Sequence, residues 1–460
     1  MLDLMRSTPR RGAYRPGRRG RVRGGSAAVG VLCLGLLAAA CSSTSPSSSQ
    51  TKPTFSSPST ATGGTGETIP AGASPGVTDT SITVGQVDEL TSPIPGLFKG
   101  AEDGTKAYFD YVNSQGGVNG RMLKLDAQDS GFQSGQVASI TATQVRNEFA
   151  LVGGFSLLDG AEKPIIDLSR TPAVEFSLDP SMFTDPLVYS ALPNPGNHYP
   201  LGFFKWLKQK YPQAVRKVGI IWENATATTK TSESAFENAM KSVGYQIVYD
   251  HGVGPFDTNF LTDIVAMKND GVKLVFNLEL PDNYAAKLAQ QMQQQNFQPV
   301  HIEGAAYSSQ FLKLAGSSAN GIYIEQAYAL YLGQDASSTP AVDLFNKWMH
   351  KASSNPNFEI ESIYGWTSAE LFVQALRNAG NPPTRAGLVS ALNKITFLTG
   401  DGLVPPSDPA AAIASPCFLL AQVQHGKIVR VPPSPPSGFY CAQGGYWDSP
   451  GYTPMVRPGT

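Results

Sequence analysis

Beyond one glycine-ended apolar run the chain reads "GGFSLLDG", Gly153 to Gly160, with Ser156 just past the run. A serine in that place has two possible chemistries. As a nucleophile it needs a base, and no histidine stands beside it in sequence. As a binding group it fits better: hydroxyls and free N–H groups at a strand end and helix start receive an anion such as a carboxylate. Capping the helix that follows is an equal use for Ser156, and both readings stay open. Asp88 and Glu89 form a second candidate, a catalytic acid couple. Adjacent strand residues point to opposite faces, so one of the two is expected to be exposed.

Other enzyme signatures are absent. The five histidines, His198, His251, His301, His350 and His425, are scattered and lack metal spacing. The one G-x-S-x-G match, Gly72 to Gly76, precedes the first strand and so forms no strand-to-helix nucleophile elbow, and no phosphate-binding G-x-x-x-x-G-K-[ST] loop occurs. We therefore expect no enzyme activity, no cofactor and no metal. Charged residues make up 15% of the chain with a net charge of −1, which argues against a nucleic-acid partner.

The cysteines divide by position. Cys33 lies in the apolar run Ala27 to Ala40, which follows an arginine-rich segment and is short for a membrane span. Cys41 comes next, ahead of "SSTSPSSSQ". That order resembles the lipobox of bacterial lipoproteins, although Ala38 stands where leucine is usual, three places before the cysteine. The expectation is a signal peptide over 1–41, lipidation at Cys41, and a disordered Ser/Thr/Pro-rich tether over 42–78. Cys417 and Cys441 are the pair left in the mature body. In an exported protein they are expected to form a disulfide; a two-thiol metal site would need more histidines than His425.

From "ITVGQV" onward, strand-like and helix-like segments alternate. Helical faces such as "KGAEDGTKAYFDYVN" and "TSESAFENAMKSVG" close on glycines before apolar strands such as "RMLKLDAQD" and "YQIVYDHGV". This recurrence predicts parallel α/β architecture in two blocks. A hairpin turning at His425-Gly426 is expected near the end, then a proline-rich extension over 432–460 without regular structure.

The stretch "ITVGQVDELTSPIPGLFKGAEDGTKAYFDYVNSQGGVNGRMLKLDAQDSG" carries Asn113, then Gly116-Gly117-Val118-Asn119-Gly120-Arg121, then Asp129. It resembles the start of the periplasmic leucine/isoleucine/valine-binding family, the type I solute-binding proteins of ABC transporters. The likeness runs from about Ile82 to Val431. It implies two Rossmann-like lobes with parallel central sheets joined by a three-crossing hinge. Lobe 1 would span 79–195 plus about 327–400, and lobe 2 would span 196–326 plus about 401–431. A small polar solute (amino acid, amide or related compound) would sit in the interlobe cleft, for delivery to an ABC permease. Alternatively the clamp would report ligand to a membrane receptor. The protein would be lipid-anchored on the extracytoplasmic side of the cell membrane.

The resemblance also implies ligand contacts, at Ser156 and Leu157, then Phe176 and Ser177. In the second lobe it points to Thr228 and Thr229, to Glu279, and to Ala305 and Tyr307. Two departures stand out. The second lobe lacks the usual Tyr-Gly after its acidic strand end, and alanine occupies the place where amino-acid binders commonly carry a carboxylate.

Overall fold

The computed structural model describes residues 72–91, 98–224, 226–254, 257–278, 280–304 and 307–457. Cys41 and the expected leader, together with Glu279 and Ala305, lie outside the described residues.

The first sheet holds β1 (Ser81–Asp88), β2 (Met122–Asp129), β3 (Leu151–Val152), β4 (Ala173–Val174) and β5 (Val188–Tyr189), in the order β2-β1-β3-β4-β5. Every pairing in it is parallel. Its crossovers run through α1 (Lys99–Asn113), α2 (Ser134–Asn147) and α3 (Lys163–Ser169). Parallel strands joined this way must be covered on both faces, which explains the apolar burial of β1 and β3.

The chain then passes through β6 (His198–Pro200) and α4 (Gly202–Lys210) into a second sheet. Its parallel part comprises β7 (Val218–Glu223), β8 (Ile247–Val253), β9 (Leu274–Leu278), β10 (Val300–Glu303) and β11 (Tyr323–Gln326). The intervening helices are α5 (Ala227–Ser242), α6 (Leu261–Asn269), α7 (Asp282–Gln294) and α8 (Ser309–Ala315). A second passage leads to α9 (Pro340–Ala352), α10 (Ile360–Leu376) and α11 (Arg385–Leu392). There α9 and α10 pack on α1 and α11 packs on α10. A third returns to the antiparallel hairpin β12 (Cys417–Gln424) and β13 (Lys427–Arg430), which extends the second sheet beside β11. His425 and Gly426 take φ of 52° and 75° at its turn. Three passages between the two sheets and their helices therefore match the implied hinge topology.

The glycine-rich corner between α1 and β2 has a local explanation. Gly117 has φ of 73°, and a Cβ there would sit 2.0 Å from the Arg121 carbonyl oxygen, so no other residue fits without backbone movement. Asn113 ties the helix end to the strand. Its amide donates to the Leu123 carbonyl at 2.9 Å and its side-chain oxygen accepts from the Leu123 N–H at 2.8 Å. Arg121 is buried and donates to the Thr78 carbonyl and to Asn381.

The C-terminal segment differs from expectation. Cys417 and Cys441 are joined by a disulfide between β12 and a short β14 (Tyr440–Cys441). A further strand, β15 (Tyr446–Asp448), pairs with β6. These pairings are two and three residues long and fall between the prolines, which is how a proline-rich stretch still forms ladders. Arg457 is 3% exposed and lies over the Tyr189 ring at 3.9 Å. Its guanidinium donates to the carbonyls of Asp185, Val188, Pro409 and Ala410. The extension is thus tied to the second sheet at Cys441 and to the first at Arg457.

Candidate functional site

Parallel strands deliver all their C-terminal ends to one edge, where loops and helix starts leave polar groups unpaired. At this rim of the first sheet, Asp88 ends β1 and Glu89 follows it, beside the segment after β3. Both acids are 0% exposed, contrary to the expectation that one would face water. Their hydrogen-bond partners differ. Asp88 accepts from the Phe155 N–H at 3.0 Å and from Gln86 at 2.8 Å. Glu89 accepts from the Ser156 hydroxyl and, at 3.3 Å, from the Leu157 N–H. The same Ser156 oxygen accepts from the Leu158 N–H at 2.9 Å, so this serine both caps the next turn and holds an anion. The anion is the chain's own carboxylate.

Three further buried acids surround the pair. Asp159 accepts from the N–H groups of Leu178 and Asp179 at 2.6 and 3.0 Å. Glu162 and Glu175 are each 3% exposed, and one oxygen of Glu175 has no hydrogen-bond partner. Glu175 presses towards Gly154, where a Cβ would come within 3.1 Å of its carboxylate. Among the described residues none of these five carboxylates is ion-paired, and the nearby Lys163 is held by Asp167 and Asp185. Burial pushes Glu89 up to about 7, against the hydrogen bonds from Ser156 and Leu157 that pull it down. Burial, then repulsion from Asp159, pushes Glu175 up to about 8. Asp88 and Glu162 rise for the same first reason.

Aromatic rings line the same rim. Phe176, half-buried after β4, stacks on Tyr364 of α10 with ring centres 4.0 Å apart and planes 7° apart. Phe155 joins them at 5.3 Å from Tyr364. Leu157 is half-buried beside this wall. Ser177 is buried, and its hydroxyl has no partner among the described residues.

At the corresponding rim of the second sheet, Thr229 spends its hydroxyl in a capping box with Thr226 at the start of α5. Neighbouring Thr228 is buried, with no hydrogen bond to its hydroxyl among the described residues. Tyr307 is 1% exposed; its hydroxyl donates to Gln334 at 2.6 Å and accepts from the Leu332 N–H at 3.1 Å. Its ring packs edge-on against Tyr331. Trp222 fills the second core and donates to Asp250 at 2.8 Å. Glu303, the last residue of β10, accepts from Asn277, and His301 stands 2.9 Å from its other oxygen without hydrogen-bond alignment. Desolvation raises Glu223, at the end of β7, to about 7.

Ser156, Leu157, Phe176 and Ser177 therefore share one rim, and Thr228 and Thr229 stand on the other. Tyr307 lies in the aromatic packing near the second passage. Sequence reasoning missed the partnership of Glu89 with Ser156, and the place of Tyr364. A usable signal existed for the first: Glu89 follows β1 as Ser156 follows β3, and these strands are neighbours in a βαβ sheet.

Among the described residues no group of three or more His, Cys, Asp or Glu side chains is placed to hold a metal ion, and no helix is long and apolar enough to cross a membrane. A cavity of about 370 Å³ lies away from the strand ends, among α1, α9, α10 and the 397–401 segment.

Comparison with known proteins accords with this architecture. The family described as Periplasmic binding protein matches residues 81–427, and the chain belongs to it. No curated protein matches the chain. Among solved structures, it is similar to a fatty acid ABC transporter substrate-binding protein from Thermomonospora curvata, at 21% identity and a TM-score of 0.66, covering 81% of this chain and 96% of that one. A branched chain amino acid ABC transporter protein from Thermus thermophilus with bound valine aligns at 13% identity and a TM-score of 0.65, over 79% and 97% of the two chains. The LivJ binding protein of Streptococcus pneumoniae in complex with isoleucine aligns at 16% identity and a TM-score of 0.62, over 76% and 100%. The fold is that of type I periplasmic binding proteins, as the sequence resemblance implied.

Proposed function

We propose that the protein is the extracytoplasmic binding component of an ABC importer. It is tethered by lipid at Cys41 and captures a small polar solute between two lobes. Lobe 1 comprises 79–195 with about 327–400, and lobe 2 comprises 196–326 with about 401–431. The observation that carries this reading is topological. A parallel sheet and the parallel part of a second sheet each present a polar rim, and three chain passages link them, which is the construction a hinged clamp requires. Solute that prefers the closed state shifts the population towards it, and a permease reads the change. The Ser156 loop and Phe176 serve one side of the cleft, and Thr228 and the segment around Glu279 and Ala305 serve the other. The solved relatives named as ABC transporter proteins support the partner assignment. A receptor-coupled sensor would use the same clamp.

The test is a thermal-shift screen of amino acids, amides, amines and organic acids, then solution scattering with any stabilising compound. The radius of gyration is expected to fall at saturation. A stabilising solute that leaves the scattering profile unchanged contradicts the clamp.

A further inference from the structure

The seat expected from sequence to take an anion, formed by Ser156 and the N–H beyond it, is filled from within by Glu89, which is wholly buried. A solute carboxylate arriving there would meet another carboxylate, and like charges sharing a site repel.

Acids also gather from both sides of the second passage. Asp282 opens α7 and accepts from the Ser308 hydroxyl. Glu359 precedes α10 and Glu361 lies in its first turn. Burial first, then repulsion from Asp282 on Glu359 and from Glu359 on Glu361, pushes Glu359 up to about 7 and Glu361 up to about 8. The groups facing them are Asp103 on α1, Asn357, and the phenols of Tyr328 and Tyr331. Tyr328 adds a buried, unsatisfied hydroxyl: it is 2% exposed, its hydroxyl has no hydrogen-bond partner among the described residues, and Glu361 and Tyr364 are among the groups acting on it. One helical turn beyond Glu361, Tyr364 stacks on Phe176, so one helix face joins the acids to the aromatic wall. No basic side chain among the described residues pairs with Asp282, Glu359 or Glu361, and Lys99 on the facing helix is held by Asp103 at 2.7 Å.

We infer that the solute is a small organic cation without a free carboxylate, its charge set among Asp282, Glu359 and Glu361 and its body against Phe155, Phe176 and Tyr364. This rests on the clamp reading, since it names the solute class of that cleft. An ammonium or guanidinium supplies the counter-charge that these acids lack, and a ring face attracts it further.

The full chain is melted with putrescine, agmatine and choline, and separately with leucine, glutamate and butanoate. Stabilisation is expected only in the first set. It should be stronger at about pH 8.5 than at about pH 6, because cation binding expels protons from Glu359 and Glu361, by up to about tenfold in Kd per pH unit for each proton released. Glu361→Gln keeps the shape and removes the charge. It should weaken a cationic hit about tenfold and flatten its pH dependence. Stabilisation by any carboxylate of the second set, no stabilisation by the first, or full affinity in Glu361→Gln overturns the inference. Scattering separates this from failure of the clamp: an amino acid that stabilises and compacts the particle ends the cation assignment and leaves the clamp standing.

Discussion

The two ends of the first sheet are built on different principles. At the N-terminal edge of β2 the corner from Asn113 to Arg121 is fixed by backbone geometry, with Gly117 placed where a side chain would collide with a carbonyl. At the opposite rim, Asp88, Glu89, Asp159, Glu162 and Glu175 are buried without cationic partners among the described residues. The first end optimises stability. The second accumulates electrostatic cost in one place, the pattern found where a protein keeps a site ready for a ligand.

Substitutions at each end can break or sharpen this contrast. Gly117→Ala carries the largest expected effect, a loss of roughly 2–4 kcal/mol from the clash and the positive φ. Urea unfolding reads it, and an unchanged midpoint would show that the corner relaxes freely.

Glu175→Gln tests the rim. Burial raises this carboxyl from 4.5 to about 8, so the folded protein binds a proton that the unfolded chain releases between those values. Wild-type stability is then fully present below about pH 4.5 and is lost as pH rises towards 8. The glutamine variant escapes that loss. It should be more stable than wild type by roughly 1–3 kcal/mol near pH 8.5 and equal to it near pH 4. A variant less stable than wild type at both values would mean that the carboxylate is stabilised where it lies.

Ser156→Ala removes a donor from Glu89 and should cost about 1 kcal/mol in the solute-free protein, read by thermal melting. No loss would mean that the bond to Glu89 contributes nothing. Smallest of all, Asn119→Gly at φ of 50° should change stability by less than about 0.5 kcal/mol. A larger change would show that the Asn119 side chain holds the corner.

The same contrast explains what could be read from the sequence. Corner residues are contiguous and serve local backbone needs, so Asn113 to Arg121 and the alternating pattern reveal the α/β order directly. The hairpin at His425-Gly426 was legible for the same reason, and the pairing of Cys417 with Cys441 because they are the two cysteines left once Cys33 and Cys41 are assigned to the leader. The rim is assembled from Glu89, Ser156, Glu175 and Tyr364, four segments that meet only after the sheet forms. Helices α3, α4 and α8, seven to nine residues long, were not read from the sequence, although α6 and α11 of similar length were. The extension was read as irregular because its partners, β6 and the carbonyls around Arg457, lie far away in sequence.

The central claim is that Glu89 occupies the seat a solute anion would otherwise take. Titrating acetate while following the backbone amide of Leu157 by NMR tests it directly, in wild type and in Glu89→Ala, with the remaining amide dispersion reporting that the variant is folded. The amide should stay still in wild type and move to saturation once the glutamate is removed. A saturable shift in wild type, or none in the folded variant, would contradict the account.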